Sequence, residues 1–350
     1  MQIFRCTNCS RQVYFENTMC SNCGQNLGFN PLSLKMITLH RDNEGRWMDE
    51  KSGQFFHYCT NSQFEVCNWI INNNDPAQFC IACSLNQTIP DLSRNEFLIR
   101  WRTIENAKHR LIYSLLKWDL PVISKTLDSE RGLSFNFKSD DDMPGSKRVL
   151  TGHSKGNITM NIAEADDVER EMARNKMDEV YRTVLGHFRH EIGHYYWEIF
   201  VKENVLLQDF RRVFGDETID YQQSLEKYYQ EGAPDDWNQN YISAYATMHP
   251  WEDWAETWSH YMHIVDTLET AQAFELIPTS KFKANSSFAY ANSNFEEILE
   301  SWVPLTLAMN SLNRSMGAKD LYPFVINASS RMKLKFVHDL IHGIDSPIHS

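Results

Sequence analysis

All eight cysteines of this chain lie between residues 6 and 83, and the 267 residues that follow hold none. A disulfide framework belongs to small secreted chains. The first twenty residues, MQIFRCTNCSRQVYFENTMC, lack the apolar core of a signal peptide. Thiols crowded in this way predict metal sites that nucleate a small N-terminal module. Such a module has too little apolar surface to fold without help.

The thiols fall into two sets. CTNC (Cys6 and Cys9) and CSNC (Cys20 and Cys23) are separated by ten residues. Each CxxC turn aims two thiolates at one ion, and two turns complete the tetrahedral shell usual for structural zinc. Gly24 suits the tight turn that lets backbone amides approach sulfur. The second set is Cys59, Cys67, Cys80 and Cys83, enough for one further site. Only Cys80 and Cys83 form a CxxC pair, so His57 is a candidate substitute ligand and pairing across the two sets stays open. Four protein ligands leave no open position, so both ions are expected to be structural. Docking to a protein partner is the alternative use of the module.

The formal net charge is -12. That excludes nucleic acid as an expected partner, since phosphate contacts need clustered Lys and Arg. It equally excludes a polybasic membrane anchor. No run of 18 apolar residues occurs, so no membrane span is expected. The expectation is a cytoplasmic protein.

Pro90 closes the cysteine-rich region, which divides the chain into a module over 1–90 and a larger domain over 91–350. Ser93 and Glu96 read as a capping box. Phe97, Trp101, Ile104, Leu111, Leu115 and Trp118 then recur at helical spacing, in a helix that must end before Pro121. LSFNF (133–137) alternates like a strand, and SDDDMPGSK reads as a loop. GNITMNIA (156–163) is β-rich, with Ile158, Met160 and Ile162 on one face. A helical segment follows from Asp166 to Lys202, supported by the pair Asp178 and Arg182. It is long for one globular helix, so a break is expected. Beyond residue 204 the pattern is almost wholly helical. The fold class is therefore α+β: a zinc-ribbon module followed by a mostly helical domain with a small sheet.

The chemistry concentrates in HFRHEIGHYYWE, residues 187–198. On a helix His190 and His194 stack on one face, so both imidazoles can reach one ion. Glu191 lies beside them and can serve as a base toward water, whose pKa zinc lowers from about 15.7 toward 7. A helix that is simply rich in histidine is the plain alternative, and a third ligand is required. Candidates lie in YATMHPWEDWAETWSHYMH, residues 245–263. Pro250 suits the first position of a helix. Trp251, Trp254, Ala255, Trp258 and Met262 make an apolar stripe, while Glu252 and Glu256 share another face. One acid can bind the ion while the other accepts the N–H of a ligating histidine. Asp216 and Glu217 in FGDE, and His187, His260 and His263, compete as ligands.

HEIGH followed by a distant EDWAETW resembles the glutamate-type zincins, and the spacing is similar to the catalytic domain of the anthrax lethal factor family. That resemblance implies that Glu252 is the third zinc ligand, that Glu256 supports a histidine, and that Tyr245 donates a hydrogen bond to the oxyanion. The 57 residues between His194 and Glu252 are more than in many such enzymes. In thermolysin-like relatives the third ligand lies closer, near where Glu217 falls here. CTNC, CSNC, LGF, CNW, RTVLGHFRHEIGHYYWE, FGDE and SAYATMHPWEDWAETWSHYMH together resemble the bacterial zinc-binding metallopeptidases that carry an N-terminal zinc ribbon. The resemblance implies a peptide or protein substrate, one catalytic zinc and one or two structural zinc ions.

In zincins an edge strand pairs with substrate backbone, and GNITMNIA is the candidate for that role. His153 is a candidate residue flanking the cleft. The acidic balance predicts a basic substrate near the cleaved bond. The competing function is a non-catalytic adapter whose ribbon binds a partner and whose HEIGH ion is structural.

Overall fold

Short strands dominate the cysteine-rich end of the chain in the computed structural model, which describes residues 1–142, 148–166, 183–277 and 288–344. The chain divides into two units, Gln2–Arg170 and Glu171–Ser350, the latter joined by Met1. The architecture is α+β, with strands in the first unit and helices filling the second.

In the first unit β1 (Phe4–Arg5) pairs with β2 (Gln12–Val13) around the CTNC turn. β3 (Asn26–Asn30), β4 (Lys35–Arg41), β5 (Trp47–Asp49), β6 (Gln54–Tyr58) and β7 (Ile70–Asn72) form an antiparallel meander in chain order. Its aromatic centre is Phe15, Phe29 and Trp69, with Phe15–Phe29 and Phe29–Trp69 ring centroids each 4.8 Å apart. Tyr113 joins this cluster, 5.6 Å from Phe15. It comes from α1 (Asn95–Lys117), whose six predicted apolar positions from Phe97 to Trp118 are all buried. The helix ends before Pro121 as expected. Its start differs from expectation. Arg94 is the cap residue and no side chain caps it, because Ser93 is held back by its amide donating to Asp91 Oδ1 at 3.0 Å.

A second sheet contains β8 (Asn86–Thr88), β9 (Ser134–Lys138), β10 (Gly152–Ser154) and β11 (Asn157–Asn161), in the order β10, β11, β9, β8. Ile158, Met160 and Ile162 are all fully buried, as their alternation predicts. β11 is not an edge strand. β10 folds back antiparallel to it through Lys155 and Gly156, whose φ angles of 47° and 75° give the turn twist that tight hairpins prefer. The sheet edges are β10 and β8. His153 on that strand accepts the Gly156 amide at 2.9 Å and so belongs to the turn. Of the loop SDDDMPGSK, residues 139–142 are described, and Asp140–Asp142 form a 3-10 turn. The pair Asp178 and Arg182 lies outside the described residues.

The second unit holds α2 (Val184–Phe200), α3 (Leu207–Phe214), α4 (Tyr221–Glu231), α5 (Pro250–Ala273), α6 (Phe288–Ala291), α7 (Phe295–Ser315) and α8 (Ala328–Ile341). α2 begins at Thr183, whose hydroxyl accepts the Gly186 amide at 2.9 Å. α5 is the central helix. His249 caps it by accepting the Trp251 amide at 3.0 Å, and Pro250 fills the first turn where no amide is needed. Its tryptophan stripe is core. Trp254 and Trp258 are fully buried, Trp258 stacks on Tyr196, and Phe210 and Phe214 pack edge-on against Trp254. Among the described residues no helix is long and apolar enough to cross a membrane.

α2 and α5 approach closely at Gly193. A Cβ there would lie 3.0 Å from Trp258 Cβ and 3.1 Å from Ala255 Cα. The Trp254 indole donates to the Gly193 carbonyl at 2.8 Å. Far along the same interface, Arg189 donates to His263 Nδ1 and to Asp266, both at 2.5 Å. Gly193→Val forces these helices apart and is expected to cost about 1–3 kcal/mol, the usual penalty of overpacking. A lower urea midpoint checks this, and an unchanged midpoint would contradict the packing.

Candidate metal centres

The thiols keep to the two sets in which the sequence placed them. Sγ atoms of Cys6, Cys9, Cys20 and Cys23 lie within 4.8 Å of one another, as do those of Cys59, Cys67, Cys80 and Cys83. The short separations are 3.6 Å for Cys6–Cys23, 3.7 Å for Cys9–Cys20 and 3.8 Å for Cys67–Cys80. These are far too long for a disulfide. They match the edge of a tetrahedron whose Zn–S bonds are ~2.3 Å, which is ~3.8 Å. Gly24 adopts φ +70° and its amide donates to the Cys20 carbonyl, closing the second turn. His57 is not in the second set, since its ring binds Asn73 and the Ala77 carbonyl.

The two sets differ in surroundings. Cys9 and Cys23 are partly exposed, whereas all four thiols of the second set are buried. Four thiolates around Zn2+ carry a net charge of minus two, which needs compensation when buried. α1 supplies it. Lys108 is fully buried and ion-paired with Glu105 at 2.9 Å. Burial works against its charge, but Glu105 and the thiolates hold its pKa above the ordinary value. His109 approaches Cys83 at 3.8 Å while its Nδ1 donates to the Glu105 carbonyl at 2.7 Å. Cysteine spacing alone gave no sign of these helix residues.

Cys83, Glu105 and His109 bring their ligand atoms within the same 4.8 Å, and a separate grouping, away from the cysteines, is His190, His194 and Glu252. The i,i+4 spacing on α2 puts the two Nε2 atoms 3.1 Å apart. α5 brings Glu252 from its first turn, with Oε2 2.9 Å from His190 Nε2 and Oε1 3.4 Å from His194 Nε2. His190 Nδ1 is 2.7 Å from Glu256 Oε1. Donation there leaves the lone pair of a neutral His190 on Nε2, facing the others. Glu256 is held in turn by the Ser243 hydroxyl, which donates at 2.6 Å. The Trp251 ring lies 3.9 Å from that of His194.

The electrostatics favour a cation at this point. Burial opposes charge on His190, yet Glu252 and Glu256 hold its pKa well above the ordinary value. Burial likewise works against ionising Glu252, and the two imidazoles hold its pKa well below the carboxylate range. Two imidazole nitrogens and a carboxylate oxygen converging in a largely buried place form a donor set that fits zinc. Three such ligands leave one position of a tetrahedral shell.

The other candidate residues lie as follows. Glu191 is buried, and its charge contributes to raising the pKa of both Tyr221 and Tyr245. Tyr245 sits in a 3-10 turn before α5, with its ring 6.1 Å from that of His190. Burial first, then the Glu252 charge, pushes its pKa well up, so the phenol keeps its proton. Glu217 is not brought to the site. Arg211 grips both its oxygens at 2.9 and 2.6 Å. His260 instead meets the Tyr322 hydroxyl at 2.7 Å, and His263 meets Arg189. His187 is not among the converging ligand atoms. Ser243 and Tyr221 escaped sequence reasoning because neither belongs to a spaced motif. Tyr221 donates to Glu252 Oε1 at 2.9 Å.

His260 gives a pH signature. Burial lowers its pKa from 6.5 to about 4. The unfolded chain therefore binds a proton below pH 6.5 that the folded chain refuses until about pH 4. Stability falls through that window as pH falls. His260→Gln is expected to lose less stability than wild type between pH 7 and pH 4.5, read from urea midpoints. An equal loss would contradict the burial of a neutral imidazole.

Comparison with known proteins assigns the family. A family model described as "Putative zinc-binding metallo-peptidase" matches residues 98–340, and a zinc-ribbon domain model matches residues 3–94. The uncharacterized proteins Mb2598c of Mycobacterium bovis and Rv2568c of Mycobacterium tuberculosis are each 38% identical over 357 residues, spanning 100% of this chain and 99% of theirs. No solved structure gave a significant match. The chain belongs to this zinc-binding metallo-peptidase family and carries an N-terminal zinc-ribbon domain.

Proposed function

We propose that this member of the zinc-binding metallo-peptidase family hydrolyses peptide bonds at the centre formed by His190, His194 and Glu252. The observation that carries the reading is the convergence of two imidazole nitrogens and one carboxylate oxygen from separate helices. Zinc bound there would supply Lewis acidity, polarising the scissile carbonyl and acidifying water.

The chain's own residues do the rest. Glu191, next to the ligand His190 on α2, takes the proton of the attacking water and returns it to the leaving amine. Tyr245, kept protonated by its surroundings, donates a hydrogen bond to the oxyanion that develops on the substrate carbonyl. Glu256 accepts the Nδ1 proton of His190 and so fixes the tautomer that presents Nε2. Two further zinc ions in the cysteine clusters are structural. The reading divides the chain by role near residue 90, with metal-nucleated folding on one side and chemistry on the other. Substrates are peptides or proteins.

Glu191→Gln preserves shape and removes the base. It is expected to lower cleavage of a proteome-derived peptide library by about 10²–10⁴-fold, the usual worth of general acid–base catalysis. Indistinguishable cleavage profiles for the two proteins would end the mechanistic reading. Metal analysis tests the ligands separately. His190→Ala is expected to reduce bound zinc from about three ions per chain to about two, on the ligand counts that zinc requires. A variant that loses no zinc would show that His190 holds none.

A further inference from the structure

We infer that Tyr221 is a positioning residue for the metal-binding carboxylate, delivered by α4; this rests on the reading that His190, His194 and Glu252 hold zinc. Tyr221 opens α4, and Asp220 caps that helix by accepting the Gln223 amide at 2.9 Å. The phenol donates to Glu252 Oε1 at 2.9 Å, the oxygen 3.4 Å from His194 Nε2, while Oε2 lies closer to the imidazoles, 2.9 Å from His190 Nε2, and accepts no hydrogen bond. A carboxylate offers two chemically equal oxygens. Which of them faces an ion depends on what the other one binds. By occupying Oε1, Tyr221 selects Oε2 for the ion and fixes the rotation of the carboxylate.

The ring is set by its neighbours. It packs 5.3 Å from His249 and 6.1 Å from Trp251, centroid to centroid. His249 joins both helices: its Nδ1 accepts the Trp251 amide, and its Nε2 donates to the Ile219 carbonyl at 3.2 Å. The start of α4, the cap of α5 and the orientation of Glu252 thus form one local network. Core packing does not explain Tyr221. It keeps 36% of its surface exposed, and α4 contains no buried residue. The segment containing α4 is bounded by Gly215 and Gly232, at φ 106° and 75°. Two contacts that hold α4 near the centre are Tyr221 on Glu252 and Tyr228, whose ring lies 5.6 Å from that of Tyr245.

The test uses full-length, zinc-loaded protein and chelator competition. The zinc that wild type retains and His190→Ala lacks identifies this site. Tyr221→Phe is expected to weaken that zinc about 10- to 100-fold, the usual effect of removing a group that orients a ligand, with the cysteine-bound zinc unchanged. Cobalt substituted at the same site should show an altered visible absorption spectrum in Tyr221→Phe. Tyr228→Ala, which removes the other ring that holds α4, should keep wild-type zinc affinity. Wild-type affinity and spectrum in Tyr221→Phe would overturn the inference and leave the metal reading standing. Equal weakening in Tyr228→Ala would also overturn it, because the effect would then come from loosening α4. If His190→Ala loses no zinc, the metal reading itself fails.

Discussion

The backbone contact between α2 and α5 at Gly193 is the constraint on which the proposed centre depends. A ligand set drawn from two helices is only as well placed as the helices themselves. Here the Ala255 backbone and the Trp258 Cβ approach so closely that a side chain at residue 193 would meet them at 3.1 and 3.0 Å, tighter than ordinary contact. The Trp254 indole then fixes the remaining freedom by donating to the Gly193 carbonyl. His190 and His194 flank Gly193 on α2, and Glu252 and Glu256 bracket Ala255 on α5. The spacing between imidazoles and carboxylates thus follows from one glycine and its neighbours.

Charge sets the second constraint. Glu252 is buried and Glu256 largely so, and both face His190. Buried carboxylates demand compensation. In the proposed reading a cation held with the two imidazoles would satisfy Glu252, while the Nδ1 proton of His190 satisfies Glu256. The cysteine clusters solve the opposite face of the same problem. There α1 brings a buried imidazole against sulfur at the second set, beside a buried Lys108–Glu105 ion pair. Both arrangements place the compensating group in a helix remote in sequence from the motif it serves.

That remoteness explains what the sequence disclosed. Periodic information was legible: paired CxxC turns, the i,i+4 histidines, the i,i+4 acids of EDWAETW, and the apolar positions of α1 and β11. Each follows from a repeat of known pitch. Glu252 was legible as a candidate because its helix also carries Glu256 and begins at Pro250. Glu217 remained a competitor until its pairing with Arg211 was seen. Ser243, Tyr221, Lys108 and His109 act through single contacts across the fold, and single residues leave no periodic trace. The capping box failed because Asp91 captures the Ser93 amide. The edge-strand expectation failed because the short hairpin partner β10, Gly152–Ser154, carries no alternating pattern long enough to read as a strand.

The most direct measurement is crystallography of zinc-loaded protein, with anomalous diffraction collected at the zinc edge. The account predicts an anomalous peak bonded to His190 Nε2, His194 Nε2 and one oxygen of Glu252 at about 2.0–2.2 Å, with a further coordination position left to solvent. A peak ligated without Glu252, or no peak between α2 and α5, would contradict it.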